Sequence, residues 1–265
     1  MSENDKIKTE IETGQNIAVN VRRLASKGKE SVKYIIGEIL KKHDAIDLLD
    51  EIFVTVTELV FNAIKANYKY IITMDALAHL INKTKAAHTI KQIMQNNTLY
   101  NAYIKKLDMQ KINDNVKDIF EKEEKAGKII SKAQDEKREL TDQEKAEIKD
   151  KMKMMKIAQQ KEIKVYLNFN FEENDVIIDI VNDAPISEQD LERIQEKRES
   201  YAKYHKQGRE HEFFIENIDT AESAGLGLAM IDARLYNQNI DPLKSFHIFG
   251  IGKKTCLTLT YPLKK

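Results

Sequence analysis

The chain is poor in the residues that punctuate, staple or span. It has 265 residues but one cysteine, Cys256, so an intramolecular disulfide framework and a cysteine-cluster metal site are both excluded. It has three prolines and nine glycines, and no proline lies between residues 1 and 184, which leaves that stretch open to long helices. Tryptophan is absent. No apolar run approaches the ~20 residues of a membrane span. Net charge is lacking too: 43 basic residues balance 43 acidic ones, so no global field points to nucleic acid. The opening Met-Ser-Glu-Asn-Asp-Lys has no basic-then-apolar layout of a signal peptide, and a soluble cytoplasmic protein without a membrane span is expected. The six histidines show no His-Glu-x-x-His pairing.

What is present is pattern. Leu49, Ile52, Phe53, Val56, Leu59, Val60 and Ala63 recur at helical spacing and predict a helix running to about Asn67, capped by Asp47. Its other face carries Glu51, Thr55, Glu58, Asn62 and Lys65, spaced four, three, four and three. A carboxylate, an amide and an ammonium in line suit a hydrated divalent cation and a phosphate. The plain alternative is a solvated helix face.

Before it, residues 1–14 are polar and expected to fray, residues 15–29 read as a short basic helix through Ile17, Val19, Val21 and Leu24, and Ser31 is placed as the cap of the next helix. After it, residues 69–161 read as helical. Residues 113–161 are densely charged with narrow apolar stripes (Ile112, Val116, Ile119, Ala126, Ile130, then Ile148, Met152, Met155), and Thr141-Asp-Gln-Glu144 matches a capping box. Such stripes predict a helical hairpin, a coiled coil between chains that would make a homodimer, or a long solvated helix.

At Glu162 the period becomes two. Ile163 to Phe171 and Val176 to Val181 predict a hairpin of strands, ending at Asn182-Asp183-Ala-Pro-Ile186. Ser187 caps a charged helix, and residues 196–224 are polar and irregular, with few large apolar anchors besides Phe213, Phe214 and Ile215. A Gly225-Leu-Gly-Leu228 turn precedes a helix, where glycine lets backbone approach a phosphate and the helix N-terminus favours an anion. Two strands follow, Phe246–Phe249 and Cys256–Tyr261. The whole reads as an α+β sandwich, helices on one face of a mainly antiparallel sheet. An Asn or Asp carbonyl oxygen at 182 or 183 can accept from an adenine amino group.

These stretches, in this order, resemble the ATP-binding domain of the GHKL superfamily of histidine kinases, anti-sigma-factor serine kinases, gyrase-type ATPases and heat-shock chaperone ATPases. Glu58-Leu-Val-Phe-Asn62-Ala-Ile-Lys65 is similar to the family's N box, Val181-Asn-Asp-Ala-Pro-Ile186 to its first glycine box, and Ala224-Gly-Leu-Gly-Leu-Ala229 to its second. Cys256-Leu-Thr-Leu-Thr-Tyr-Pro262 resembles the closing strand. The resemblance covers roughly 30–68 and 162–263. It implies a two-layer α/β sandwich of the histidine-kinase ATPase type, with a mixed, mainly antiparallel sheet and a long helical insertion. The division it implies is an N-terminal tail at 1–29, an ATP domain at 30–68 with 162–265, and an insertion at 69–161.

The resemblance also implies ATP and Mg²⁺ as cofactors. Asn62 would be the Mg²⁺ ligand, Glu58 would act on its water or as a base, and Lys65 would meet phosphate. Asn182, Asp183, Ile186 and Thr258 would line the nucleotide together with Gly225, Leu226, Gly227 and Leu228. Residues 187–224 would be the lid. The first glycine box departs from the family's Asp-x-Gly-x-Gly, having no glycine. The roughly thirty residues before the first domain helix hold no histidine, so the resemblance carries no phosphoacceptor over onto them. His79 and His88, on apolar-rich helix, read as structural. The functions implied are a protein kinase of the histidine-kinase type acting on a response-regulator-like or other regulatory protein, an ATP-gated partner-switching protein of the anti-sigma kind, or a nucleotide-binding module without catalysis.

Overall fold

The computed structural model describes residues 3–84, 88–172, 174–217 and 226–263. In chain order, α1 (Glu3–Glu12), β1 (Ile17–Val21), α2 (Ser26–Lys42), a 3₁₀ turn (Ile46–Leu48) and α3 (Leu49–Thr84) come first. Then come α4 (Ile90–Met94), α5 (Asn97–Ile104), α6 (Met109–Asp135), α7 (Asp142–Lys151) and α8 (Lys153–Gln160). The last part holds β2 (Val165–Phe171), β3 (Asp175–Asn182), α9 (Glu188–Lys206), α10 (Glu210–Asn217), α11 (Leu226–Asn237), α12 (Pro242–Ser245), β4 (Phe246–Ile251) and β5 (Lys254–Pro262). The chain forms two compact units, Met1–Phe61 with Val165–Lys265, and Asn62–Lys164. The cut passes through α3, which no proline or glycine interrupts. It therefore runs on to Thr84 rather than ending near Asn67.

The first unit is α+β. Its five strands lie in the order β1-β2-β3-β5-β4, and every neighbouring pair is antiparallel, so the sheet is not mixed. Alternation sets the faces. Val165, Leu167, Phe169, Ile178, Ile180 and Leu259 are buried on one of them. Ile36, Ile39 and Leu40 of α2 and Ile52 of α3 meet Phe169, Val176 and Ile178 there.

Several local expectations change. Residues 17–21 are an edge strand, not a helix. Ile17 and Val21 are buried while Ala18 and Asn20 are exposed, which is a period of two; the basic residues that suggested a helix fall beyond the strand, at Arg22 and Arg23. Residues 3–12 are helical rather than frayed, because Ile11 is buried. Ser31 lies inside α2, which starts after Ala25 with no side-chain cap. Asp47 lies within the 3₁₀ turn, two residues before α3 begins at Leu49. Ser187 does cap α9, its hydroxyl accepting from Asp190 N–H at 3.0 Å.

The second unit is helical. Within it, Tyr68 of α3 packs on Phe120 of α6, ring centroids 5.4 Å apart, and its hydroxyl donates to the buried Glu123 carboxylate at 3.0 Å. Leu77, Ile93 and Tyr103 form a small core where α4 and α5 meet α3, and His88 contacts Tyr103 there. α6 and α7 pack side by side within the chain. The capping box is present: the Thr141 hydroxyl accepts from Glu144 N–H at 3.2 Å, and Glu144 accepts from Thr141 N–H at 2.9 Å.

Candidate functional site

The end of β3 is where polarity enters the buried face. Val176, Ile178 and Ile180 are its core positions, and Asn182 is the next in phase, at 1% exposed. A buried amide needs partners. Its Nδ2 donates to Ala184 O at 3.3 Å, across the tight turn that Pro185 continues. The strand partner of Asn182 is Thr255, also buried, whose hydroxyl donates to the same carbonyl at 2.7 Å. Asn182, Ala184 and Thr255 therefore make one polar node among the core residues.

Asp183 points to the opposite face. Its carboxylate pairs with Lys254 at 2.9 Å, and that ammonium lies 4.2 Å from the centre of the Tyr166 ring. The hydrogen bond to the Asp183 carboxylate, and then that to the Tyr166 hydroxyl, hold the Lys254 pKa above its ordinary value against the opposing effect of burial. The period of two thus separates the two alternatives: Asn182 faces the helix layer and Asp183 faces away from it. The same alternation moves Thr258. It is three residues from Thr255, on the other face, where its hydroxyl donates to Asp179 at 2.7 Å. A ligand beside Asn182 would meet Thr255 in its place, a residue sequence reasoning missed. Strand pairing alone carries that information. Ile186 is half-buried beside Gly250, where an added Cβ would lie 3.7 Å from its Cγ2.

α3 carries the other expected residues. Its face is not uniformly solvated. Thr55 is fully buried, facing the Tyr261 hydroxyl, and burial pushes the Tyr261 pKa up to about 12. Glu51 approaches Arg234 of α11 at 3.8 Å. One turn on, Glu58 is exposed. In the second unit, on the continuation of the helix, Asn62 is half-buried, and Lys65 is exposed with its ammonium 5.6 Å from the Phe120 ring centre. Asn67, which the pattern did not single out, is buried and donates to Lys164 O at 3.0 Å.

α11 begins at Leu226, so Leu226, Gly227 and Leu228 form its half-buried first turn; Gly225 lies outside the described residues. The helices before it overturn the irregular reading of 196–224, of which residues 218–224 lie outside the described residues. α9 and α10 are regular, with Tyr201 and Phe213 buried against Ala229 of α11. A cavity of about 220 Å³ is lined by Asp44, Leu48, Gln238, Ile240, Pro262 and Leu263. It lies at the start of β3, since Pro262 pairs with Asp175, and so at the far end of that strand from Asn182. No cluster of three or more His, Cys, Asp or Glu placed to hold a metal occurs among the described residues.

No family model, no curated protein and no solved structure matches the chain.

Proposed function

We propose that the chain is a Mg²⁺-ATP-binding protein of the GHKL type, and that it passes the γ-phosphoryl group to a protein as a histidine-kinase-like enzyme. The observation that carries this reading is the Asn182–Ala184–Thr255 node. A core strand of an antiparallel sheet ends in a buried amide, beside a buried hydroxyl, on the face that α2 and α3 cover. Burying such groups costs free energy unless they are paired, and the shared bond to Ala184 O holds both in place at the strand end. An amide oxygen there accepts from the exocyclic amine of adenine. On the same reading, Asn62 supplies a neutral oxygen to Mg²⁺, Glu58 positions or deprotonates its water, Lys65 leaves Phe120 for a phosphate, and the first turn of α11 receives phosphate through its N–H groups.

Titration calorimetry with a non-hydrolysable ATP analogue and magnesium tests the binding. Wild type binds, and Asn62→Ala loses most of the metal-dependent affinity. Equal affinity in the two proteins would falsify the metal site. Labelled ATP, supplied with response-regulator-like and anti-anti-sigma-like proteins, then tests transfer. Acid-labile label supports the histidine-kinase reading, and acid-stable label supports a serine kinase. Binding without any label leaves a nucleotide-gated partner-switching protein.

A further inference from the structure

The zero net charge of the chain conceals an imbalance between its units. The helical unit, 62–164, holds 22 lysines and arginines against 15 carboxylates, and the α+β unit holds the opposite excess. Within the helical unit the excess is local. Residues 113–161 carry 13 basic and 12 acidic side chains, which pair along the helices, as Lys122 does with Asp118, Lys128 with Glu124 and Lys151 with Glu147. Residues 83–112 carry six lysines and one carboxylate, Asp108.

That stretch folds back on the end of α3, around the core of Leu77, Ile93 and Tyr103. Five of its lysines are described. Lys83 lies in the last turn of α3, Lys91 in α4, Lys105 and Lys106 just past α5, and Lys111 in the first turn of α6. All five are exposed, and among the described residues none pairs with a carboxylate. Lys106 lies 5.1 Å from the Tyr103 ring centre instead. Asp108 is engaged as the cap of α6, accepting from Lys111 N–H at 3.0 Å. A packed element of this size is about 20 Å across. That is about two Debye lengths at 0.1 M salt, so the five fields overlap with no anion among them to cancel them.

The side chains between the lysines narrow the partner. Asn82, Gln95 and Asn101 are exposed amides, which bond phosphate and sugar oxygens. A bilayer surface would want an apolar face to enter. Here the apolar side chains turn inward, and among the described residues of 83–112 the one exposed large apolar side chain is Ile90, at 36%. We propose that this basic tip binds nucleic acid through its phosphates, without reading base sequence. The lysines neutralise the backbone and the amides bond its oxygens. The surface lies wholly within the helical unit and is independent of the nucleotide reading above.

Fluorescence anisotropy of the full chain with a labelled DNA duplex of about 30 base pairs tests it. Five lysine–phosphate contacts should make the affinity fall about 500-fold between 50 and 200 mM salt. The triple variant Lys91→Gln, Lys105→Gln, Lys106→Gln should bind about 30-fold more weakly at 50 mM, and its salt dependence should shrink to about 12-fold, the value for two contacts. Arginine at the same three positions should keep the binding, which separates lost charge from a lost fold. Lys122→Gln, Lys128→Gln and Lys151→Gln together remove the same charge from the paired stretch and should change the affinity by less than about threefold. No binding of the duplex at 50 mM salt overturns the proposal. So does an unaffected tip variant, or a paired-stretch variant that weakens binding as much as the tip variant does. Tip-dependent binding to phosphatidylserine vesicles with none to the duplex overturns it in favour of a lipid surface.

Discussion

Two arginines, one in each compact unit, make nearly the same bond and do opposite work. Arg138 clasps Glu144 with both terminal nitrogens at 2.8 Å, and Arg198 clasps Asp232 with two nitrogens at 2.9 Å. The side chains of the first pair are 33% and 23% exposed, those of the second 4% and 1%. Near water the bonds dominate, and Arg138 lowers the Glu144 pKa to about 2. In the core, burial dominates and raises the Asp232 pKa even though Arg198 opposes it. Geometry alone therefore does not give the worth of an ion pair; the water displaced to make it decides.

Removing the buried arginine has the largest expected effect. Arg198→Met leaves Asp232 without its counter-charge and takes one donor each from Phe246 O and Pro242 O, and should cost about 3–5 kcal/mol. That is a large share of the ~5–15 kcal/mol that holds a domain together. Adding Asp232→Leu should restore part of the loss but not all, since the bonds from Arg198 to Phe246 O and Pro242 O are still missing. Urea unfolding of the single and double variants measures both. A single variant as stable as wild type would mean that water or another group reaches the carboxylate.

A buried polar group without charge should come next. Asn182→Ala should cost roughly 1–3 kcal/mol, the scale for a buried group losing its partner. On the nucleotide reading the loss appears in ATP-analogue affinity. If it appears in Tm alone, the node is structural. If Asp183→Ala weakens binding and Asn182→Ala does not, base recognition lies on the other sheet face.

The Asp183–Lys254 pair is intermediate, its side chains 18% and 41% exposed. Lys254→Met should therefore cost at most about 1 kcal/mol, and less at high salt. A loss as large as that of Arg198→Met would break the ranking by exposure.

The same contrast explains what could be read in the sequence. Features made by neighbours in the chain were legible: the Thr141 capping box, the Ser187 cap, the β2–β3 hairpin and the helical run after α3. β1 was missed because Ile17, Val19 and Val21 alternate over only five residues, and a strand that short is settled by pairing with β2. Arg198 and Asp232 are 34 positions apart and look like two surface charges until α9 and α11 pack. Thr255 was hidden behind Thr258 because alternation says that the two face opposite ways without saying which way is inward. The residues expected on α3 follow from helical spacing, yet the burial of Thr55 follows only from the neighbouring Tyr261.

The smallest expected effect is the most direct test of the contrast, because acid moves the two carboxylates in opposite senses. Glu144 has a folded pKa depressed from 4.5 to about 2, so its contribution is present above pH 4.5 and is lost as pH falls toward 2. Asp232 is raised above 3.8, so its ionisation opposes folding and acid relieves that burden. Lowering the pH from 5 toward 3 should therefore loosen the turn between α6 and α7 before the Arg198 node. Amide exchange at 137–145, corrected for the intrinsic pH dependence, should quicken over that range while the amides of α9 near Arg198 do not. Arg138→Gln should remove most of the pH response at the turn, because Glu144 then titrates near its unfolded value and keeps only its bonds to Thr141. A turn whose exchange is flat across the range, or equally steep in Arg138→Gln, would show that the pair's bonds do not survive in solution and that exposure alone sets its worth at nothing.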